Sequence, residues 1–414
     1  PSVSTILCFR VHLLCHEVHT MHQSAALLRR VPRLRLGQSR RSLGTRVRFS
    51  EGGGCSIEDG DDEDSTAPPG PGQVAVKLLA AACTPADLRT TAARPPPPPP
   101  PQLPPSPNHQ PGSSSALEIP RIIGGTEALW EITAVGGHVS SLRPGDLAVP
   151  VVAGNDLGKG AGQAGTWRTR ATLTEASLVK VPVGGSGATV AAAAAGGLEE
   201  EEGGGGGGVG LEMAAHCSGS VATAIRILED FAEKELGAGD RVVFTGASSA
   251  VLLQLAASRG LESVCLVNSE EEAALALKLG AWKATLLKEF KAMRMDNACI
   301  VADGEGGVLG FTAARALRFR GCFVSYADLS GGGVSLPVAG QIFSDTRCRG
   351  FSLRRWASAR PPSEKRELVE RSLGVAASAG LRLEEARDFP LREAALAIDT
   401  VRQTGCPVLL RGSA

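Results

Sequence analysis

The second half of the chain alternates short apolar runs with segments of helical spacing, and this alternation constrains the fold most. The apolar runs lie at 241–245, 263–267, 298–302 and 322–326. Between them the spacing predicts helices that end at Gly260 and Gly280, and a third helix over 312–319. Strands separated by such helices pair in parallel, because each crossover helix covers a face of the sheet. The alternation predicts an α/β fold with a doubly wound, Rossmann-type parallel sheet.

The chain before residue 183 carries short alternating runs joined by glycine and proline turns. Strands are predicted at 74–81, at 122–135 with a Gly-Gly turn inside, and at 147–152, 167–173 and 178–181. A Leu-Arg-Pro-Gly-Asp turn at 142–146 precedes one of them. Many short strands of this kind predict a partly open β-barrel. From Ala214 the spacing becomes helical, and we expect Gly237 to close that helix.

Three stretches are rich in proline, glycine or acidic residues. They lie near 51–72, 90–116 and 184–212, and the last contains six consecutive glycines. Such compositions bury too little apolar surface to offset the entropy cost of ordering the chain. We therefore expect disordered insertions at these places.

The beginning of the chain is strongly basic. Eight arginines and no acidic residue occur between Met21 and Ser50, mixed with leucine and serine. This is the composition of an organellar transit peptide, and arginine in excess of serine and threonine favours the mitochondrion over the plastid. The alternative is a basic arm that binds RNA, but aromatic residues are not interleaved with the arginines. We predict a leader over 1–45.

Charge and hydropathy argue against two classes of partner. The 414 residues include 43 basic and 43 acidic side chains, so the formal net charge is zero. A balanced charge does not favour nucleic-acid binding by the whole protein. The sequence also contains no run of 18 apolar residues, which a membrane-spanning helix needs. We expect no nucleic-acid partner and no membrane span.

Cysteine and histidine spacing predicts a reducing compartment and no metal site. The ten cysteines form no CxxC pair, and several lie in apolar strand-like runs, as small buried side chains do. Four histidines have helical spacing that could hold a metal ion, but they adjoin the basic leader. These are His12, His16, His19 and His22.

The first turn of the α/β half is the natural candidate for phosphate binding. It reads Thr-Gly-Ala-Ser-Ser-Ala, with one glycine where a dinucleotide fingerprint has several. Ser248 or Ser249 could cap the following helix, and the N–H groups around Ala247 could bind a phosphate. The alternative is an ordinary turn.

The end of the second predicted strand bears on the choice of nucleotide. An acidic residue there favours NAD, whereas an arginine favours NADP. The residues present are Asn268, Ser269 and Glu270. We expect Asn268 or Ser269 to cap the next helix. Glu270 is either the acidic residue that binds the ribose or a first-turn residue that complements the helix dipole.

Several sequence runs resemble a known family. The runs at 76–80, 84–88, 124–127 and 142–146 are similar to the amino-terminal half of medium-chain dehydrogenases/reductases. Gly-Thr-Trp-Arg-Thr at 165–169, followed by 178–182, resembles the mitochondrial 2-enoyl thioester reductases in particular. So do the runs at 334–336, 342–345 and 349–351 with Trp356. The resemblance extends over nearly all of 74–410 apart from the insertions, and the relatives belong to the zinc-independent branch.

The resemblance implies a domain order and a dimer. A GroES-like barrel domain would begin at 46–213, a Rossmann NADP-binding domain would occupy 214–344, and 345–414 would return to the barrel. The family also dimerises through the Rossmann sheet, so a homodimer is expected.

The resemblance implies reduction of trans-2-enoyl thioesters by NADPH in the mitochondrial matrix. The substrate would be carried on acyl carrier protein or coenzyme A, and hydride would reach its β-carbon. One alternative is a quinone reductase-like member of the superfamily. Another is a catalytically silent relative that acts as a binding or assembly protein.

The resemblance also assigns site residues. The family's catalytic tyrosine has no counterpart, because the corresponding segment, 89–111, contains no tyrosine. Asn268 stands at the position of the arginine that binds the 2′-phosphate, and Ser220 at that of an asparagine near the cofactor. The residues expected to flank the nicotinamide are Tyr326, Ala327, Asp328, Leu329, Phe351, Ser352, Leu353 and Arg354. A basic patch is expected from four arginines, Arg347, Arg349, Arg354 and Arg355. It would bind an acidic carrier protein or a phosphate of coenzyme A. The alternative is an ordinary solvated face.

Overall fold

The computed structural model describes residues 44–49, 55–59, 67–85, 87, 122–152, 165–182, 209–246, 249–383 and 387–412. The predicted leader up to residue 43, the four spaced histidines and most of the three predicted insertions lie outside these residues. So do Ala247 and Ser248, which we predicted to bind phosphate.

The strands are numbered in the order in which they occur in the chain. The described residues form β1 (Thr45–Phe49), β2 (Cys55–Asp59), β3 (Gln73–Cys83), β4 (Ile122–Ile123), β5 (Ala128–Val135), β6 (Leu147–Pro150), β7 (Arg170–Thr174), β8 (Leu178–Lys180), β9 (Arg241–Thr245), β10 (Glu262–Val267), β11 (Lys283–Leu286), β12 (Ala298–Asp303), β13 (Leu317–Ser325), β14 (Arg347–Gly350), β15 (Asp388–Pro390) and β16 (Val408–Arg411).

The helices lie almost entirely in the second half. They are α1 (Leu211–Ala214), α2 (Ala222–Asp230), α3 (Ala250–Ser258), α4 (Glu270–Lys278), α5 (Leu287–Met293), α6 (Gly307–Ala314), α7 (Val338–Phe343), α8 (Leu353–Ser358), α9 (Pro362–Ser378) and α10 (Ala394–Thr404). A π-helical turn, Cys217–Val221, joins α1 to α2, and short 3₁₀ turns occupy Glu175–Ser177 and Leu391–Glu393.

Strands from both ends of the chain build the first large sheet. Its order is β15-β16-β3-β5-β6-β8, and β7 also pairs with β3. The carboxyl-terminal strand β16 lies antiparallel to β3, with Val408 opposite Cys83. The last part of the chain thus returns to the sheet that the first part began. A small sheet, β2-β1-β4, is bridged to this one between Arg46 and Arg168.

Two of the sequence runs that carry the family resemblance contact each other. Trp167 is fully buried, and its indole nitrogen donates to the Ala82 carbonyl oxygen at 3.0 Å. A Cβ at Gly124 would collide with the Trp167 ring, so only glycine lets the indole approach this closely. The Gly-Gly and Gly-Thr-Trp runs therefore pack as one unit of the barrel core.

The second large sheet is parallel throughout. Its order is β11-β10-β9-β12-β13-β14. Apolar side chains cover both faces: Phe244 packs toward α2 and α3, and Val243 toward α5 and α6. The strand order changes direction between β9 and β12, which makes their carboxyl ends the topological switch point. The predicted fold class, a GroES-like barrel with a doubly wound Rossmann sheet, is confirmed.

Some predicted elements are wrong at their boundaries. The helix predicted over 312–319 is α6, which ends at Ala314, because Leu317 already pairs with Ala298 as the start of β13. Helix α2 ends at Asp230 and not near Gly237, since the Phe231 ring leaves the helix to pack edge-on against Phe351.

Two predicted insertions are shorter than expected. Strand β2 lies inside the first, where it pairs antiparallel with β1, and α1 begins inside the third. Strand pairing and helix packing order these residues despite their composition.

Candidate functional site

Hydrogen bonds lock the two strands of the switch point together. The Thr245 hydroxyl, at the end of β9, donates to Asp303 Oδ1 at 2.6 Å, at the end of β12. The same hydroxyl oxygen accepts the Gly304 N–H at 3.0 Å, and Asp303 Oδ1 accepts the Gly306 N–H at 3.0 Å. Both side chains are fully buried. The loop that follows β12 is therefore fixed against the end of β9.

The turn after β9 contains the glycine that the fold requires. Gly246 has a φ of +72°, in the left-handed region that favours glycine. Ser249 precedes α3 but makes no capping hydrogen bond, so the capping prediction is wrong for this residue. Its hydroxyl instead donates to the Thr245 carbonyl oxygen at 2.9 Å and lies 3.2 Å from the Tyr326 hydroxyl. Because the Ser249 proton is used at Thr245, Tyr326 Oη is the donor in the second bond.

Two clefts open at the carboxyl ends of the parallel strands. The inner cleft has a volume of about 400 Å³. It is lined by Pro85, Asn268, Glu272, Glu305, Asp328, Leu329, Ser330 and residues 401–405. It lies between the ends of β10, β12 and β13 and the end of α10.

The edge cleft, of about 480 Å³, lies beside the ends of β13 and β14. Its lining includes Tyr326, Ala327, Asp328, Phe351 and Ser352, all predicted to flank the cofactor. Arg355, on α8, completes one side. The structure thus brings together residues that lie 25 positions apart in the sequence because β13 and β14 are neighbours in the sheet.

Other predicted residues lie elsewhere. Ser269 caps α4 by accepting the Glu272 N–H at 3.2 Å, as one of the two capping alternatives predicts. Glu270 is exposed in the first turn of α4, where an acidic side chain complements the helix dipole. Leu353 is buried in the hydrophobic core, and Arg354 is exposed outside the lining of both clefts.

Ser220 belongs to a buried polar cluster of its own. Its N–H donates to Glu127 Oε2 at 2.9 Å, and its hydroxyl lies 3.0 Å from Glu127 Oε1 and 3.4 Å from His216 Nδ1. Burial raises the pKa of Glu127 to about 8 and lowers that of His216 to about 4. Both groups are therefore largely neutral at pH 7, and Ser220 lines neither cleft.

The inner cleft is acidic. Glu272, Glu305 and Asp328 line it, and Arg402 is the one basic side chain among its described lining residues. Burial, together with the nearby Glu272 and Asp303 carboxylates, raises the pKa of Glu305 to about 7. A carboxyl with this pKa is about half ionised at neutral pH.

Sequence reasoning missed Thr245, Asp303 and Glu305. The Asp-Gly-Glu-Gly run at 303–306 directly follows a predicted strand, so its position at the carboxyl edge could have been inferred. The contact of Glu305 with the Gly246 turn could not, because it depends on how β12 pairs with β9.

The described residues fit a nicotinamide dinucleotide in most respects. A glycine turn follows the first strand, and two clefts meet at Asp328 beside the switch point. The Glu305 carboxylate opposes the fit. A Cβ at Gly246 would collide with it, so the Glu305 side chain lies over the turn that receives phosphate in such folds. Among the residues that the structure describes, no cluster of three metal-ligating side chains is present. No described helix is long and apolar enough to cross a membrane.

Comparison with known sequences finds enoyl-thioester reductases. The chain is 28% identical over 316 residues to the mitochondrial enoyl-[acyl-carrier-protein] reductase of Xenopus tropicalis, with 73% of this chain and 75% of the relative covered. It is 28% identical over 340 residues to the enzyme of the same name from Arabidopsis thaliana, with 79% and 76% covered. No family model matches the chain.

Comparison with solved structures finds the same fold. The mitochondrial 2-enoyl thioester reductase Etr1p/Etr2p heterodimer from Candida tropicalis matches with a TM-score of 0.64 and 20% identity, over 89% of this chain and 99% of that chain. A complex of Etr1p with NADP and crotonyl-CoA gives 0.64 and 19%, with the same coverage.

The quinone oxidoreductase of Escherichia coli, solved with NADPH, gives a TM-score of 0.62 and 19% identity over 89% of this chain and 99% of that chain. The fold is thus shared by thioester and quinone reductases. The predicted resemblance is confirmed: the chain is similar to the mitochondrial enoyl-thioester reductases and has the fold of the medium-chain dehydrogenase/reductase superfamily.

Proposed function

We propose that this chain reduces trans-2-enoyl thioesters, carried on coenzyme A or acyl carrier protein, with NADPH in the mitochondrial matrix. The observation that carries the proposal is the edge cleft, in which Tyr326, Asp328 and Phe351 meet at the ends of β13 and β14. The names of the curated relatives support the substrate class and the compartment. A solved relative with NADP and crotonyl-CoA supports the cofactor and the thioester.

The two clefts would hold the two halves of the dinucleotide. NADPH supplies a hydride when it is bound. Residues 326–328 and Phe351 would border the nicotinamide, and Asn268 and Leu329 the adenosine half. Arg402, which lines the inner cleft together with Asn268, would supply the positive charge that a 2′-phosphate needs.

Tyr326 is our candidate for the proton donor. It is the one tyrosine of the chain, and it lines the edge cleft. Hydride addition at the β-carbon leaves negative charge on the α-carbon and the thioester oxygen, and a proton must then reach the α-carbon. The Tyr326 Oη–H bond would break as the C–H bond forms, and the tyrosinate would regain its proton from water. In the free protein this proton is donated to Ser249 Oγ, 3.2 Å away, and it would turn from Ser249 to the substrate when the thioester binds.

Exposed arginines lie near the edge cleft. Arg349, Arg354 and Arg355 are exposed, whereas Arg347 is engaged with the carbonyl oxygens of Phe231 and Arg320. The three exposed guanidinium groups would attract the phosphates of coenzyme A or the acidic surface of a carrier protein.

We also propose a homodimer that forms along the edge of the parallel sheet. Strand β14 ends the described sheet, and α7, which precedes it in the chain, exposes three large apolar side chains. Val338 is 62% exposed, Ile342 67% and Phe343 80%. A second copy of the chain would cover this apolar surface.

Turnover of crotonyl-CoA with NADPH tests the function. We expect loss of NADPH and formation of butyryl-CoA, with deuterium from 4-deuterated NADPH on the β-carbon. Reduction of quinones but not of thioesters would favour the quinone reductase alternative. Failure to bind either nicotinamide cofactor would favour the silent relative, which the missing family tyrosine and Glu305 also favour.

Tyr326→Phe tests the assignment of the proton donor. We expect kcat to fall by about 10²–10⁴-fold, because general acid catalysis contributes this much, while NADPH affinity stays within about threefold. Trp282→Phe changes an exposed aromatic side chain outside both clefts and should leave kcat unchanged. Full activity of Tyr326→Phe would show that another group supplies the proton.

A further inference from the structure

The Glu305 side chain occupies a position that matters for any dinucleotide. In doubly wound sheets, the pyrophosphate lies at the turn between the first strand and its helix, here Gly246 and the start of α3. A Cβ at Gly246 would collide with the Glu305 carboxylate and the carbons that bear it. A carboxylate therefore takes the space that the glycine leaves open.

The position of Glu305 is set by the buried core of the switch point. The Thr245 hydroxyl accepts the N–H groups of Gly304 and Glu305, at 3.0 and 3.3 Å. Asp303 accepts the N–H of Gly306 from the other side. The backbone is thus held at three successive residues, so the Glu305 carboxylate can leave the turn only by rotation of its own side chain.

The charges that face Glu305 are mostly negative. Glu272 comes from α4, Asp303 from β12, and Asp328 from the loop after β13, while β10 contributes the Cys265 thiol and α10 contributes Arg402. Arg402 bonds to Asp399 at 3.2 Å, so part of its charge is already neutralised. Burial and the neighbouring carboxylates together raise the pKa of Glu305 to about 7.

We propose that Glu305 competes with a cofactor phosphate for the Gly246 turn, so that a dinucleotide binds this chain together with a proton on Glu305. This inference rests on the proposed function and adds a condition to it. A carboxylate repels the pyrophosphate, whereas a protonated carboxyl can donate a hydrogen bond to it. The affinity should fall as the pH rises through 7, whereas binding of the phosphate by an arginine alone would not change with pH in this range.

Calorimetric titration with ADP-ribose tests the proposal. This probe carries the pyrophosphate but no 2′-phosphate, and its pyrophosphate does not titrate near neutrality. Between pH 6 and pH 8.5 we expect the Kd to rise by about 30-fold, as one group of pKa about 7 requires. Heats measured in buffers of different ionisation enthalpy should show uptake of nearly one proton at pH 8.5.

Two variants of the full chain sharpen the test. Glu305→Gln should bind ADP-ribose with a Kd that is independent of pH and with no proton uptake. Glu364→Gln is the control. It removes an exposed carboxylate of α9 that pairs with Arg360 and lies outside both clefts, so it should behave as the wild type. Circular dichroism and thermal melting check that both variants fold.

The outcomes separate this inference from the proposed function. Tight binding of ADP-ribose by the wild type at both pH values, without proton uptake, would overturn the inference and leave the reductase proposal intact. No binding of ADP-ribose or NADPH by the wild type and by Glu305→Gln at any pH would overturn both.

Discussion

Carboxylates, and not the basic groups that phosphates usually require, gather at the ends of the parallel strands. Asp303, Glu305 and Asp328 follow β12 and β13, and Glu272 reaches the end of β10, where its Oε2 accepts the Asn268 N–H at 3.1 Å. Each residue type is visible in the sequence. Their mutual distances follow from strand order, and so do the raised pKa of Glu305 and its conflict with phosphate.

The buried Glu127 makes a prediction about pH at the scale of a single residue. Its pKa is about 8 in the folded protein and near the ordinary value of about 4.3 in the unfolded chain. Between these values the unfolded chain has lost the proton that the folded protein keeps, so the free energy of unfolding falls as the pH rises. Glu127→Gln should therefore reduce the decline between pH 5 and pH 8 by about 3 kcal/mol.

Urea unfolding at several pH values measures this effect. Glu364→Gln changes an exposed carboxylate and should leave the pH dependence as it is in the wild type. The pKa of His216 is lowered to about 4, so this residue makes the free energy of unfolding rise with pH up to about 6.5. That contribution is common to the wild type and Glu127→Gln and cancels from the difference between them. An unchanged slope in Glu127→Gln would show that Glu127 is ionised in the folded protein.

Helix α4 shows how far local signals reach at the scale of an element. Ser269 caps it, three glutamates fill its first turn, and Lys278 lies in its last, so all the local signals agree with the observed element. We expect Ser269→Ala to lower the free energy of unfolding by about 1 kcal/mol in urea titrations. Ser258→Ala, at the end of α3, removes a hydroxyl that donates back to the Leu255 carbonyl oxygen of the same helix and should cost far less. Equal losses would show that the cap contributes nothing.

Where the local signals conflict with pairing, the sequence predicts the wrong boundary. The residues around 316–319 continue a helical pattern, yet β13 begins at Leu317 because it must pair with Ala298 of β12. The sequence does not predict β11 or β14, because a run of four residues is too short to show alternation. It does not predict the short helix α5 either. Tyr326 and Phe351, which the family resemblance places together, line one cleft in the structure, because a resemblance carries tertiary information that periodicity does not. Their contact with a cofactor stays a prediction.

At the scale of the whole molecule, the exposed apolar surface of α7 predicts the oligomeric state. We expect the chain to be a dimer in solution, and Ile342→Asp to convert it to a monomer, since burying an unpaired carboxylate in an apolar interface is costly. Leu396→Asp changes an equally apolar side chain, 55% exposed on α10, and should leave the dimer intact. Sedimentation equilibrium gives the mass of each. A monomeric wild type would contradict the proposed dimer.

The general architecture was predictable because two separate patterns specify it. Short alternating strands occupy the first half and strand–helix repeats the second. The structure places the first group in the first large sheet and the small sheet, and the strands of the repeats in the parallel sheet. The predicted domain limits remain a prediction. The return of β16 to β3 joins residues more than 300 positions apart, and only the family resemblance indicated it.

The most direct test of the proposed reductase function is titration of the 414-residue chain with NADPH and with NADH. Binding is measured by calorimetry and by nicotinamide fluorescence. We expect the chain to bind NADPH with a micromolar Kd that rises above pH 7, and Arg402→Ala to bind it more weakly. Absence of binding of either cofactor at millimolar concentration, at pH 6 as well as pH 8.5, would contradict it. The chain would then share the fold of these reductases without their chemistry.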